Sequence, residues 1–203
     1  GYEYHETINF ISSEIKNVKL PDNLELLKNS VQHCYLCDLC KSRKNVLFGY
    51  GKNNSDIMFI SDEPSNSEDE LGVFYSGKSG ELLTKMIENV LLIKKEDVYL
   101  TTLVKCKSLN GLINSNIDTC NDYLLKQIEL IKPKLIVALG EKVYSYLLKN
   151  NDNFMQIRGK ELLDNGITLI ATFSPNFLLR NPSSKKDAYY DMLKIKSYME
   201  SLV

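Results

Sequence analysis

Five cysteines are the residues of this sequence whose type and spacing suggest chemistry most directly. Cys34 and Cys37 form a C-x-x-C pair among polar and basic residues, whereas Cys106 and Cys120 lie far along the chain. Four thiolates that converge in this way suit either a zinc ion or an iron–sulfur cluster. The spacing does not choose between these centres, and the two distant cysteines could instead be small buried hydrophobic residues. Cys40 is a spare thiol, and an odd number of cysteines does not favour a disulfide framework.

Residues 72–79, GVFYSGKS, match the phosphate-binding pattern GxxxxGK(S/T), which is typical of nucleotide hydrolases. In such a loop the strand ends directly at the first glycine, whereas here the predicted strand ends near Ser61 and ten residues intervene. Five of the nine residues 62–70 are acidic, which would repel a triphosphate. The run LIVALG also lacks the strand-end aspartate that would hold magnesium. We therefore keep a nucleotide hydrolase only as a third hypothesis.

Two further segments carry polar groups: SDEPSNSED after the first predicted strand and FSPNFLLRNP after the last. In a parallel sheet the carboxyl ends of the strands form the usual ligand site, so we expect these segments to face one cleft. The second segment is apolar with Arg180 near its end, and it could wedge into a base stack and contact phosphate. It could equally be a buried loop with Leu178 and Leu179 packed in the core.

Short apolar runs that alternate with helical patterns position these segments. The order strand, helix, strand, helix predicts a parallel sheet with helices on its faces. Asn165 and Gly166 predict a hairpin whose second strand, 167–173, joins that sheet. The other predicted strands are 56–61, 98–104 and 135–139, and the predicted helices are 80–93, 117–131, 141–149 and 185–201, with two short helices within residues 1–33.

The composition predicts one globular domain over residues 1–203, because 43% of the residues are hydrophobic and 25% are charged. The 25 basic and 26 acidic side chains nearly cancel, so any contact with nucleic acid must be local. Two histidines leave little material for histidine-rich zinc sites or serine–histidine triads. We see no membrane span and no secretory pattern in the first residues, and we therefore expect a cytoplasmic protein.

Taken in order, these pieces resemble the family 4 uracil-DNA glycosylases, the iron–sulfur branch of the uracil-DNA glycosylase superfamily. The resemblance runs from about Cys34 to Met192. It includes C-x-x-C with Leu39 and Arg43, then VLFGYG, DIMFISDEP, SED, GVFYSGKSGELLTKM, VYLTTLVKC, Cys120, YLLKQIELIKPKLIVALG, IRGK and FSPNFLLRNP. It also accounts for the phosphate-loop pattern, because the family carries a similar glycine-lysine segment after an aromatic residue that packs on the substrate base.

The resemblance implies an α/β fold, a three-layer α/β/α sandwich with a central four-stranded parallel sheet. It also implies a structural 4Fe–4S cluster with residues 34–51 as the cluster-binding loop, and redox chemistry is not required. Cys40 is left out because the family's second cysteine lies six residues before the matched arginine, and Arg43 selects Cys37. The implied ligands are Cys34, Cys37, Cys106 and Cys120.

The resemblance also implies base excision, in which a base flipped out of the strand loses its glycosidic bond to water. In the family, a carboxylate at the position of Asp62 orients or activates water and offsets positive charge on the sugar. An amide at the position of Thr102 reads the pyrimidine edge, and a histidine at the position of Ser174 stabilises the leaving anion. Tyr75 would supply the face on which the base stacks.

The chain departs from the family at all three of these positions. Asp62 replaces a glutamate, and Glu63, where a small residue is usual, could compensate for the shorter reach or crowd the pocket. Thr102 cannot make the bidentate contact of an asparagine amide, and Ser174 is a neutral donor. Because the loss of one preorganised donor costs about 3 to 4 kcal/mol, altered base choice and inactivity are both reasonable outcomes.

The resemblance extends more fully to the DNA-binding surface. The residues expected to contact phosphates or wedge into the stack are Arg43, Lys78, Ser79, Arg158, Leu179 and Arg180. Our leading hypothesis is a DNA-repair glycosylase that acts as a monomer on DNA containing uracil or another deaminated base. We expect it to be monofunctional because no lysine replaces Asp62. The second hypothesis is a glycosylase-fold protein that binds DNA or a damaged base without cutting.

Overall fold

A mixed sheet forms the centre of the computed structural model, which describes residues 20–164 and 166–202. Its described strands are β1 (Tyr50–Gly51), β2 (Ile57–Ser61), β3 (Tyr99–Thr102), β4 (Leu135–Leu139), β5 (Glu161–Asp164) and β6 (Ile167–Thr172). The strand order is β1-β3-β2-β4-β6-β5, in which the four middle strands are parallel and the two edge strands are antiparallel. The predicted four-stranded parallel sheet is confirmed, and one antiparallel strand extends it at each edge.

The middle strands are apolar runs because the sheet is covered on both faces. All five residues of β4 are buried, as are all four of β3. The register places Ser61 opposite Thr102 and Leu139 opposite Thr172. The carboxyl ends of the parallel strands therefore meet at one edge, where the loops that follow them can share a site.

Helices form the two outer layers. The described helices are α1 (Leu24–Gln32), α2 (Asn66–Leu71), α3 (Gly77–Met86), α4 (Asn114–Ile131), α5 (Glu141–Leu148), α6 (Phe154–Ile157), α7 (Pro175–Arg180) and α8 (Lys185–Ser201). Right-handed crossovers put α3 and α8 on one face and α4 and α5 on the other. α3 packs on α7, the π-helical turn Ile87–Leu91 that prolongs α3 packs on α8, and α1 packs on α4. This is the predicted three-layer sandwich.

Local signals set the bounds of these elements. Asn23 caps α1 by accepting from the N–H groups of Glu25 and Leu26 at 2.9 and 3.1 Å. Lys132 adopts the left-handed conformation and ends α4 just before Pro133. α1 confirms the second of the two helices predicted in residues 1–33, and the first lies largely outside the described residues.

The hairpin predicted near the end of the chain is confirmed as the antiparallel pair β5 and β6. Asn165, the first residue of its predicted turn, lies outside the described residues, and Gly166 has a φ of 82°. Among the described helices, none is long and apolar enough to cross a membrane.

Candidate active site and cysteine centre

A small cavity beside the end of β3 brings all the described cysteines together. Three of them come from the loop between α1 and β1, one follows β3, and one lies in α4. They are Cys34, Cys37, Cys40, Cys106 and Cys120. None of them forms a disulfide. The structure thus unites the residues that the sequence singled out, and Cys40, predicted to be a spare thiol, lines the same cavity.

Two polar anchors fix the cysteine loop. Arg43 donates from Nη1 to the Sγ atom of Cys106 at 3.1 Å. The buried carboxylate of Asp69, in α2, accepts from the N–H groups of Lys44 and Asn45 at 3.0 and 3.1 Å. Arg43, predicted as a DNA contact, therefore points at the cysteine centre with its guanidinium, and the acidic segment helps to hold the loop.

A buried lysine joins the cysteine centre to the sheet edge. The Nζ atom of Lys105 donates to Thr101 Oγ1 at 2.6 Å and to the carbonyl oxygen of Thr102 at 2.7 Å. Both partners are neutral, and in the described residues Lys105 makes no ion pair with a carboxylate. Burial lowers the pKa of Lys105 to about 8, whereas negative charge on Cys120 and Cys106 acts to raise it. A buried ammonium of this kind is best stabilised by an anionic cysteine centre.

The cysteine cavity offers a set of sulfur donors. Within residues 20–164 and 166–202, no three His, Cys, Asp or Glu side chains are placed to hold a single metal ion, although five cysteines line one cavity. Burial raises the pKa of Cys106, and it raises the pKa of Cys120 to about 11. Near neutral pH both thiols would therefore keep their protons unless a metal displaced them. An all-sulfur donor set is typical of both zinc and iron–sulfur centres.

A second cavity lies at the carboxyl ends of β2, β4 and β6. It is lined by residues from the loop after β2, from the start of α3 and from the loop after β6. Those that carry polar side chains are Ser61, Asp62, Glu63, Ser65, Glu68, Ser79, Ser174 and Asn176. The two segments that the sequence predicts to face one cleft do so.

Asp62 supplies a half-buried carboxyl group to this cavity. Burial raises the pKa of Asp62, and a hydrogen bond from the backbone N–H of Glu63 partly offsets that effect. The carbonyl oxygen of Asp62 accepts from the N–H of Val104 at 3.3 Å, which ties the loop to the end of β3. The loop is therefore held in place through the backbone of Asp62, and the carboxyl group of Asp62 lines the cavity.

Glu63 links the loop after β2 to the segment after Cys106 through an ion pair and a hydrogen bond. Its carboxylate accepts from Lys107 Nζ at 2.5 Å and from the backbone N–H of Ser108 at 2.8 Å. The side chains of the ion pair are only 14% and 18% exposed. Two roles were considered for Glu63, compensation for the shorter Asp62 or crowding of the pocket. In the structure its carboxylate instead binds Lys107 and Ser108 and fixes the segment that follows Cys106.

Ser174 stands at the N-terminus of α7. Its Oγ atom accepts from the N–H of Phe177 at 3.3 Å and caps the helix. The hydroxyl proton remains available for donation into the cavity. Gly140 lies opposite, where a Cβ atom would come within 3.3 Å of the Ser174 Cβ atom.

The structure does not bring Tyr75 and Thr102 into the cavity that holds Asp62. Thr102 is buried and donates its hydroxyl proton to the carbonyl oxygen of Val104 at 2.7 Å. Tyr75 has a φ of 64°, packs edge to face on Tyr50, and buries a hydroxyl that has no hydrogen-bond partner among the described residues. Burial raises the pKa of Tyr75 far above its ordinary value. Tyr75 and Thr102 are thus both buried outside the lining of the Asp62 cavity.

Residues 72–79, which match the phosphate-loop pattern, do not form a phosphate-binding loop in the fold. Gly72 ends α2 with a φ of 68°, and Gly77 begins α3, so the pattern spans two helices instead of one loop after a strand. Lys78 and Ser79 lie in the first turn of α3, with Lys78 exposed. These observations agree with the low rank that the sequence gives to a nucleotide hydrolase.

The remaining residues predicted to contact DNA divide into two groups. Leu179 and Arg180 are exposed at the end of α7, as a wedge and a phosphate contact require. Arg158 is mostly buried and pairs with Asp191 and Asp187 of α8 at 2.7 and 3.3 Å. Its guanidinium is thus occupied inside the protein, and we leave Arg158 out of the proposed DNA surface.

Sequence reasoning missed several residues that shape the two sites. Lys105 stood unnoticed beside Cys106, and Asp191 in α8 gave no signal because its partners are distant in sequence. Glu68 accepts from the N–H groups of Ser65 and Tyr75 at 2.8 and 3.0 Å. The pattern S-x-x-E at 65–68 is a capping-box signature and could have revealed this role of Glu68.

Comparison with known proteins agrees with this fold and site. The family model for the uracil DNA glycosylase superfamily matches residues 48–194. The chain belongs to the uracil-DNA glycosylase superfamily, as its resemblance to the family predicted.

Individual relatives cover most of the chain. A type-4 uracil-DNA glycosylase from Saccharolobus solfataricus is 36% identical over 190 residues, which cover 89% of this chain and 88% of the relative. The type-4 enzyme of Sulfurisphaera tokodaii is 35% identical over 185 residues, covering 86% and 84% of the two chains. That of Thermotoga maritima is 33% identical over 183 residues, covering 87% and 95%. The similarity therefore extends through both sites.

Proposed function

We propose that this protein is a monofunctional DNA glycosylase that hydrolyses the N-glycosidic bond of uracil or another deaminated base in DNA. The observation that carries the proposal is the meeting of Asp62 and Ser174 in one cavity at the carboxyl edge of the sheet. Membership of the superfamily and the names of the type-4 relatives support the same reaction. The damaged base reaches the cavity by flipping out of the DNA strand.

Asp62 is the residue that handles water in this proposal. Its carboxylate orients a water molecule toward the sugar and offsets the positive charge that develops as the bond breaks. The raised pKa of Asp62 has a defined consequence, because only the ionised form can perform either task. Excision falls as the pH falls through that pKa, at a higher pH than an exposed aspartate would give.

Ser174 donates to the leaving base. Since its oxygen caps α7, the hydroxyl is oriented and its proton can stabilise the base anion. A neutral hydroxyl is a weaker electrostatic partner than a histidine would be, so we expect slow excision. Tyr75 and Thr102 act on the base only after the buried pocket opens, and base selectivity is correspondingly low.

The DNA surface in this proposal centres on α3 and α7, which pack together. Lys78 and Ser79 lie in the first turn of α3, and Leu179 and Arg180 end α7. These residues give phosphate contacts on either side of an apolar wedge. The local positive charge suffices despite the net charge of −1.

The cysteine centre holds a structural 4Fe–4S cluster in this proposal. Its ligands are Cys34, Cys37, Cys106 and Cys120, whereas Cys40 lies in the same cavity as a spare thiol. When bound, the cluster supplies cross-linking of the loop to β3 and α4 rather than redox chemistry. Arg43 and Lys105 supply positive charge toward the thiolates. A reducing compartment such as the cytoplasm suits these thiols, and residues 1–203 act as one domain and as a monomer.

A second candidate function is DNA binding without cleavage. The burial of Tyr75 and Thr102, together with the serine at position 174, favours it. In that case the chain would keep the scaffold and the DNA surface but would lack an open base pocket.

A single-turnover excision assay separates the two functions. Protein purified without oxygen is mixed with oligonucleotides that contain uracil, hypoxanthine or xanthine, and abasic sites are counted. We expect abasic sites with the intact protein and a rate about 100- to 10,000-fold lower with Asp62→Asn. DNA binding without cleavage of any of the three bases would support the second function and contradict the first.

A further inference from the structure

Arg158, predicted to contact DNA, is largely buried and paired with carboxylates inside the protein. It follows α6, and its side chain reaches α8 with only 16% of its surface exposed. Nη1 donates to Asp191 Oδ1 at 2.7 Å, and Nη2 pairs with Asp187 Oδ1 at 3.3 Å. The carboxylates of Asp191 and Asp187 therefore offset the positive charges of Arg158 and the nearby Lys194, and this group of residues offers no net attraction to phosphate.

The carboxylate of Asp191 is held on both sides. It is buried, and its Oδ2 atom accepts from the hydroxyl of Thr172 at 2.9 Å. Thr172 is the last residue of β6. Gly159 allows the close approach, because a Cβ atom there would lie 2.5 Å from Asp191 Oδ1. The pair of Arg158 and Asp191 thus joins the end of α6, α8 and the end of β6, two residues before Ser174.

Two aromatic residues, Phe173 and Phe177, connect the ion pair of Arg158 and Asp191 to α7. The guanidinium carbon of Arg158 lies 5.1 Å from the ring centroid of Phe173. The rings of Phe173 and Phe177 are stacked, with centroids 5.0 Å apart and an interplanar angle of 6°. Phe177 is the residue whose N–H donates to Ser174 Oγ. The contacts form a continuous series from the ion pair to the cap of α7.

We propose that Arg158 is a positioning residue, which with Asp191 clamps Phe173 and Phe177 and thereby orients Ser174 and α7. Its catalytic consequence rests on the function proposed above, whereas the clamp itself does not. A planar guanidinium is needed, because it stacks on the ring and pairs with two carboxylates at once. Lysine keeps the positive charge, but it has neither a planar group that can stack on the ring nor paired N–H donors that can bind two carboxylates.

Hydrogen exchange tests the clamp without any DNA. The amides to follow are those of Phe177, Leu178 and Asn181, which donate within α7 and its cap. In Arg158→Lys we expect their protection to fall about tenfold relative to the change in global stability. Arg158→Met alone would leave the carboxylate of Asp191 buried and unpaired. The double variant Arg158→Met/Asp191→Asn is therefore measured together with Arg158→Lys and should lose the same protection.

Tyr198→Phe provides the matched control. Tyr198 of α8 and Thr168 of β6 share a hydrogen bond of 2.6 Å between their hydroxyls, at the far end of the same helix and strand interface. Its loss should leave the α7 amides unchanged after the same correction. Protection in both Arg158 variants equal to that of Tyr198→Phe would overturn the proposal.

The salt dependence of DNA binding supplies the second readout. Loss of a phosphate contact lowers the slope of log affinity against log salt by about 0.9, whereas loss of a clamp leaves the slope unchanged. We expect Arg180→Gln to lower the slope and the double variant to keep it. A slope that falls in the double variant but not in Arg158→Lys would show that Arg158 is a phosphate contact after all. A protein that binds no DNA would contradict the proposed function, while the exchange result would still decide the clamp.

Discussion

Residues 104–106 line the cysteine centre, and Glu63 of the candidate active-site cavity binds Lys107 and Ser108, yet the polar groups of these two regions find hydrogen-bond partners to different degrees. At the centre, Arg43 donates to Cys106 and the buried Lys105 donates to both threonines of β3. Outside the lining of the Asp62 cavity, the hydroxyl of Tyr75 is buried with no hydrogen-bond partner among the described residues, and the hydroxyl of Thr102 donates to the carbonyl oxygen of Val104. The polar groups around the cysteines therefore have partners, whereas the two residues proposed to stack on and read the base are buried outside the cavity.

The largest expected effect comes from removing a proposed ligand. Cys106→Ala and Cys120→Ala should each abolish the cluster, because the loop would then lose a bond to β3 or α4. The measurement is iron content with the absorbance near 400 nm, in a range typical of iron–sulfur thiolate centres. Cys40→Ala is the matched control and should keep iron and absorbance. Equal losses in all three variants would show that the assignment of Cys40 as a spare is wrong.

A substitution at Lys105 tests whether the buried hydrogen bonds beside the cysteine centre stabilise the protein. In the iron-loaded protein, Lys105→Met should lower the free energy of unfolding by about 2 kcal/mol, because charged hydrogen bonds in the interior are lost. Denaturant titration measures this change. Lys41→Met, on the same loop, removes a fully exposed pair with Asp38 and should leave the free energy of unfolding almost unchanged. Similar losses in both variants would contradict a special role for the buried lysine.

The pH dependence of excision sharpens the comparison at the cavity. Because burial raises the pKa of Asp62, the single-turnover rate should start to fall, as the pH is lowered, above the ordinary aspartate range. Below the pKa, each unit of pH should reduce the rate about tenfold. A rate that stays constant down to the ordinary aspartate range would count against Asp62 as the group that handles water.

The smallest expected effect concerns the unpaired hydroxyl of Tyr75. Tyr75→Phe removes a buried polar group that has no hydrogen-bond partner within residues 20–164 and 166–202, so it should raise the free energy of unfolding by about 1 kcal/mol. Tyr99→Phe is the control, because the Tyr99 hydroxyl accepts from Gln127 Nε2 at 3.0 Å and its loss should destabilise the protein. Thermal unfolding of the two variants gives the comparison. Destabilisation by Tyr75→Phe would reveal a partner for that hydroxyl.

The sequence predicted the parts of the molecule that depend on local patterns. The apolar runs predicted the parallel strands, and Asn165 with Gly166 predicted the hairpin of β5 and β6. The facing of the segments after β2 and β6 also followed, because strand ends in a parallel sheet share one edge. The set of four cysteines came from the resemblance to the family, and the structure brings these cysteines to one cavity.

Side-chain partners were beyond the sequence because they depend on packing between distant segments. Arg158 sits in a basic stretch that is typical of a phosphate contact, and nothing local shows that Asp191 neutralises it. Likewise, the aromatic type of Tyr75 fits a stacking role, but its burial against Tyr50 depends on an edge strand two residues long. The strand β1 was missed because it lies in a segment rich in turn-forming residues.

We propose that Asp62 handles water in this chain and that Ser174 is a weak hydrogen-bond donor to the leaving base. The single-turnover rate of uracil excision by Ser174→His tests this proposal, with the intact protein and Ser174→Ala measured under the same conditions. We expect histidine to raise the rate about 100-fold or more and alanine to lower it, because a stronger donor stabilises the leaving anion better. A histidine variant that folds and binds DNA but excises uracil no faster than the intact protein would contradict it.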